Sequence, residues 1–255
     1  MLDMKYFDVY YFCHLANNSI DKFDYAGTYA EFFDGEFEVV PENFPKVSIL
    51  RQFAFWLVER VIYEQARMAP QGDKCDFNPA SWLEQAIKKY KNKTVSFTEF
   101  CIEKNINTED YEDYLETFNC FVEYLNHKNN NLYFDVVWDI ASEVEYILIQ
   151  NREFLLSFNE HTTIYFQDNP LQRCYIPEWV KRAVLFRDKG CCVFCKKDLT
   201  GLYTLLDDKE KQFDHIVSLE EGGINDVCNI QLCCQRCNNK KSASSSTSSL
   251  YHNAY

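Results

Sequence analysis

The sequence predicts an α+β protein: a mostly α-helical N-terminal domain followed by a small, zinc-stabilised C-terminal domain. Three observations carry this. Apolar residues recur at helical spacing through Ser48–Phe158, two C-x-x-C pairs near the C-terminus enclose a single histidine, and the negative charge is concentrated in the first part of the chain. At 255 residues the chain has room for two domains and a sizeable core, and 47% apolar with 16% aromatic residues excludes a disordered chain.

The opening residues are the least legible. Met4–Leu15 suits either a helix or a buried strand, and Tyr29–Val40 around Asp34-Gly35 suits a hairpin, because Asp-Gly favours a tight turn. From Ser48 the pattern becomes helical. Ile49, Phe53, Trp56, Leu57, Val61 and Ile62 form a stripe over Ser48–Met68 that stops before Pro70-Gln-Gly72. Asn78-Pro79 caps the next helix, with Trp82, Leu83 and Ile87 inward and Lys88, Lys89, Lys91 and Lys93 at its C-terminal end, where cations suit the helix dipole. Ser96-Phe-Thr-Glu99 reads as a capping box opening a short helix to about Glu103. Two long helices are expected over Asp110–His127 and Tyr133–Phe158, separated by Asn129-Asn130-Asn131, which makes about five helices in residues 1–170. The polar stretch Asn159–Arg173 is the expected boundary. A helix over Glu178–Asp188 then opens a second domain over 171–241. Strands are expected over Gln212–Leu219 and Asn229–Cys233, a helix from about Arg236, and a flexible Ser-rich tail over 242–255.

Composition narrows the function classes. Residues 1–170 hold 14 Lys+Arg against 29 Asp+Glu, a net of −15, whereas residues 171–255 hold 12 against 10, a net of +2. A phosphate backbone would be repelled by the first part, so residues 1–170 are not expected to grip nucleic acid; they are expected to dock a protein partner, form a homo-oligomer, or hold the second part in check. With seven glycines in the chain there is no phosphate-cradling glycine-rich loop, and no nucleophile elbow or internal repeat. The longest apolar run, Phe53–Val58, is far short of a bilayer span, and the start shows no basic and apolar leader, so no membrane partner and a cytoplasmic location are expected. Eight of the twelve cysteines lie between Cys174 and Cys237, which fits metal ligation in a reducing compartment better than a disulfide framework.

Cys192-Val-Phe-Cys195 and Cys234-Gln-Arg-Cys237 each let one tight turn present two thiolates, and together they suit one tetrahedral structural Zn²⁺. Cys191 and Cys233 each precede a pair by one residue and leave a register ambiguity. Between the pairs lie Phe213-Asp214-His215-Ile216, the turn Gly222-Gly223 and Asn229-Ile-Gln-Leu, and Asn238, Lys240 and Lys241 follow.

In this arrangement, with 14 residues from His215 to Asn229 and 9 from Asn229 to Asn238, residues of about 174–241 resemble the HNH endonuclease family and its ββα-metal fold. The resemblance implies a metal-dependent nuclease hydrolysing DNA phosphodiester bonds. His215 would be the general base, Asp214 and Asn238 the ligands of a catalytic Mg²⁺ or Mn²⁺, and Asn229 the residue that orients the His215 ring or braces its loop. Arg236, Lys240 and Lys241 would meet nucleic-acid phosphates. Adjacent strand residues point to opposite faces, so a bulge or twist is expected to bring Asp214 and His215 together. The chain departs from the family pattern at Asn238, where a His is usual, at Ser218, where a Pro is frequent, and at Glu220 and Glu221, where a Lys is often found. By analogy with HNH proteins bearing unfamiliar accessory domains, a role in restriction or anti-phage defence is expected. A non-catalytic zinc-stabilised binding module is the alternative, and an RNA substrate is not excluded.

Overall fold

The computed structural model describes residues 3–21, 31–33, 42–69, 77–106, 114–128, 130–166, 171–201, 210–244 and 247. Eight α-helices precede the C-terminal sheet among them: α1 (Val9–Asp21), α2 (Ile49–Met68), α3 (Pro79–Lys91), α4 (Phe97–Lys104), α5 (Tyr114–His127), α6 (Leu132–Leu148), α7 (Arg152–Phe166) and α8 (Glu178–Arg187). Strands β1 (Lys211–His215) and β2 (Ile230–Cys234) and helix α9 (Gln235–Lys241) follow. The expected α+β class, helical first and a two-stranded sheet with a helix last, is what forms. The Asp34-Gly35 turn, the insert around Asp207-Asp208 and most of the Ser-rich tail lie outside the described residues, and residues 31–33 of the expected hairpin are helical.

Local signals explain most boundaries. Asn78 accepts a hydrogen bond from the Ser81 amide at 2.9 Å, Pro79 sits in the first turn, and Asn92 closes α3 at φ 52°, a left-handed conformation that Asn tolerates. Ser96 caps α4 through the Glu99 amide at 3.2 Å. The single helix expected over Tyr133–Phe158 is two. After α6 the amides of Gln150 and Asn151 close short turns on Ile147 and Leu148, and the Asn151 side chain then caps α7 by accepting from the Phe154 amide at 3.1 Å. Asn159–Phe166, expected in the polar linker, complete α7, and their polar groups turn inward: Asn159 and Thr162 are both buried.

The chain divides into two compact units, Met1–Phe12 with Phe53–Val144, and Cys13–Gln52 with Glu145–Tyr255. The core of the first is aromatic. Trp82 packs against Phe7, Phe12 and Phe77 with ring centroids 5.2–5.9 Å apart and donates its indole N–H to Asp8 at 2.7 Å, while Phe97 and Phe100 meet Phe121. Each such ring contributes about 1.5–3 kcal/mol by leaving water.

In the second unit Phe44, Val180, Val184, Leu199, Val227, Ile230 and Leu232 form one core with Cys192 and Cys234. Asp188, 1% exposed, ties the parts of this unit together: it accepts from Arg152 of α7 at 3.3 Å, from Arg187 at 2.8 and 3.0 Å, and from the Leu232 amide of β2 at 2.8 Å. Burial opposes its charge, but the two guanidinium groups hold its carboxyl below the usual range.

Candidate active site

The two cysteine pairs are built by different devices. A short turn, closed by Cys192 N–H to Lys197 O and Lys196 N–H to Cys192 O at 2.9 Å each, carries Cys192 and Cys195, and the Val193 amide docks it on Leu232 O. Lys196 takes φ 63° to close that turn. Cys234 ends β2 and caps α9, its sulfur accepting from the Cys237 amide at 3.5 Å. The sulfurs of Cys192, Cys195, Cys234 and Cys237 all lie within 4.8 Å of one another, with Cys195 and Cys234 at 3.7 Å. A ZnS₄ tetrahedron with Zn–S near 2.3 Å has edges of about 3.8 Å, so the four thiols fit a structural zinc. The register ambiguity is resolved: the Cys191 sulfur turns to Lys189 O, and Cys233 is buried next to Cys234 but outside the cluster.

β1 and β2 pair antiparallel and one for one, from Lys211 with Cys234 to His215 with Ile230. No bulge intervenes, so of the expected bulge or twist only a twist is left; along the paired strand Asp214 and His215 alternate and find different partners. Asp214 Oδ2 lies 3.4 Å from Gln231 Nε2 across the sheet and 3.0 Å from Nζ of Lys241 on α9. Lys241 is 7% exposed, so the lysine expected at a phosphate is held at this carboxylate instead. The pairing also means that the Asp214 position already accommodates a positive charge. Asn238, the other oxygen donor expected for a divalent ion, is half-buried on the same helix, while Arg236 and Lys240 are exposed.

His215 ends β1, half-buried. Its Nε2 lies 2.9 Å from Asn225 Oδ1, and among the described residues Nδ1 meets no protein partner. Burial pushes the imidazole below its usual value; Asn225 and the charge of Asp214 pull the other way, and Arg173 and Lys241 add to the depression. The ring is therefore neutral near pH 7 and can accept a proton.

Asn229 does not touch this ring. Fully buried, it donates to Val217 O at 3.0 Å and Ile224 O at 2.9 Å and accepts from the Val217 amide at 2.9 Å, so it braces the loop that leaves His215. That loop turns through Leu219–Glu221, capped by Ser218, and through Gly222 at φ 87°. Ser218, which stands where a proline was expected, thus acts as a helix cap.

A strand bearing Asp-His, a looped return to an Asn-initiated strand, and a short helix opening on C-x-x-C together make a ββα-metal site. Residues 192–244 match the HNH endonuclease family. No curated protein and no solved structure matches the chain. The match covers residues 192–244 and no other part of the chain, and among the described residues no helix is long and apolar enough to cross a membrane.

Several residues that build the HNH site lie outside the matched segment. Asp226 caps the turn Val227–Asn229 through the Cys228 amide and accepts from the Ile49 amide at the start of α2, at 3.0 Å. Asn159 of α7 donates to Cys228 O at 3.1 Å, and the Phe44 amide donates to Asn225 O at 2.7 Å. Asn225 was not singled out by sequence reasoning. Its partners are 10, 53 and 182 residues away, and no local pattern marks it.

Proposed function

We propose that the HNH segment hydrolyses DNA phosphodiester bonds in a metal-dependent reaction with His215 as general base. The observation that carries this reading is the state of His215: a neutral ring, anchored through Nε2, with its other nitrogen free of protein partners among the described residues. Asp214 and Asn238 would hold Mg²⁺ or Mn²⁺, since both offer hard oxygen donors. Held there, such an ion would supply charge stabilisation for the phosphate and the departing oxygen. His215 takes the proton of the attacking water, while Asn229 holds the loop that keeps the ring in place. Arg236 and Lys240, both exposed, would meet phosphates flanking the cut. The acidic residues 1–170 would engage a protein partner or a second copy, so that the protein acts as a cytoplasmic effector of restriction or anti-phage defence.

Cleavage of supercoiled plasmid by wild type and His215→Ala, in Mg²⁺ or Mn²⁺ and in EDTA, tests the reading. Nicking or linearisation that needs the metal and falls at least a hundredfold in the variant is expected, with zinc content and melting temperature unchanged. Equal behaviour of both folded proteins would favour a non-catalytic zinc module.

A further inference from the structure

We infer that Asn225 is a positioning residue that fixes which nitrogen of His215 serves as the base, and that residues outside the HNH segment lock Asn225 in that role. The inference rests on the nuclease reading of His215 and extends it to a residue and two chain segments not assigned to the reaction.

The Asn225 amide nitrogen lies 2.9 Å from the backbone carbonyl of Gln172 and 2.7 Å from Asn43 Oδ1. A backbone carbonyl only accepts, so the group facing it must be NH₂, and the amide cannot be flipped without setting two oxygens against each other. Its oxygen is then the atom 2.9 Å from His215 Nε2. An amide oxygen only accepts, so Nε2 must carry the hydrogen and the lone pair falls on Nδ1. Asn225 is itself 1% exposed, and its backbone carbonyl accepts from Phe44 at 2.7 Å, with the Phe44 ring in the core. The side chain therefore cannot turn away to solvent. The chain elements that hold it are the residues just before α2 and those leading into α8. They complete the catalytic site and do not merely accompany it.

Asn225→Ala removes the acceptor that selects the tautomer and leaves the ring free to rotate. Misplacing a base by about 1 Å costs on the order of a hundredfold in rate. The expected result is a fall in kcat of that order on a short duplex substrate, with KM and zinc content held and a lowered melting temperature, since the Gln172 carbonyl and Asn43 lose their buried partner. Side-chain ¹⁵N NMR of the zinc-loaded full chain gives the second readout, with His215 assigned by difference from His215→Ala. Nε2 protonated and Nδ1 bare in wild type, and a mixture in Asn225→Ala, is expected. A wild-type ring protonated on Nδ1 overturns the inference whether or not the protein cuts DNA. So does a folded Asn225→Ala with wild-type kcat. Failure of wild type to cleave any duplex would instead overturn the nuclease reading, and the ring spectrum still decides the tautomer.

Discussion

Glu59, on α2, shows what a single half-buried group contributes. Burial pushes its carboxyl from an ordinary 4.5 up to about 7; the Tyr133 phenol is raised first by its own burial and further by the charge of Glu59. Because the folded state binds the proton more tightly than the unfolded chain, the stability it confers is full below about 4.5 and is lost as pH rises through 7. Glu59→Gln is therefore expected to gain melting temperature over wild type at pH 8 and to lose that advantage at pH 5. Parallel pH profiles of the two melting points that stay superimposed would count against a half-buried, protonated carboxyl. At this scale the sequence was most informative where chemistry is written into residue type. Cys192, Cys195, Cys234 and Cys237 were legible because zinc needs thiolates at C-x-x-C spacing. Asn225 was not, because an amide gains its role only from partners brought in by the fold.

At the level of elements, the loop from His215 to Asn229 links the sheet to the site. Gly223 packs so closely that a Cβ there would sit 2.1 Å from Val217 O and 2.8 Å from Ser218 O, both backbone atoms that cannot step aside. Gly223→Ala is expected to cost roughly 1–3 kcal/mol by overpacking. It should also slow cleavage, because the strained segment joins His215 to Asn225 and Asn229. Urea denaturation and the plasmid assay on the same preparation check both, and a variant of unchanged stability would mean that the loop can relax. Helix starts were readable where a cap is spelled out, at Asn78-Pro79 and Ser96. The break between α6 and α7 was hidden because Ile147, Leu148 and Phe154 continue an apolar run across it, and only the turn at Gln150-Asn151 ends the helix.

At the level of the whole molecule, the four-cysteine cluster and the segments outside residues 192–244 share the work of holding the second unit. Cys192 and Cys234 lie in the same core as Phe44, Val180 and Leu232, and Arg152 of α7 donates to Val193 O beside the first cysteine pair. Cys195→Ser is expected to lower bound zinc and the melting temperature together, since metal binding and folding are one equilibrium in such sites. Full zinc with an unchanged melting point would transfer the ligand role to another sulfur.

The sequence alone determined the helical character of the first part, its acidity, the two C-x-x-C pairs and the Asp-His-Asn spacing between and beside them. These follow from periodicity, charge and ligand chemistry, which are properties of residues and their near neighbours. Only the tertiary structure decided that Asn225 faces His215, that Lys241 pairs with Asp214, and that Asn43, Phe44, Ile49, Asn159 and Gln172 hold the loop in place. Each of these is a hydrogen bond or ion pair whose partner is chosen by packing, and no local pattern in a chain specifies which distant amide will be buried beside it.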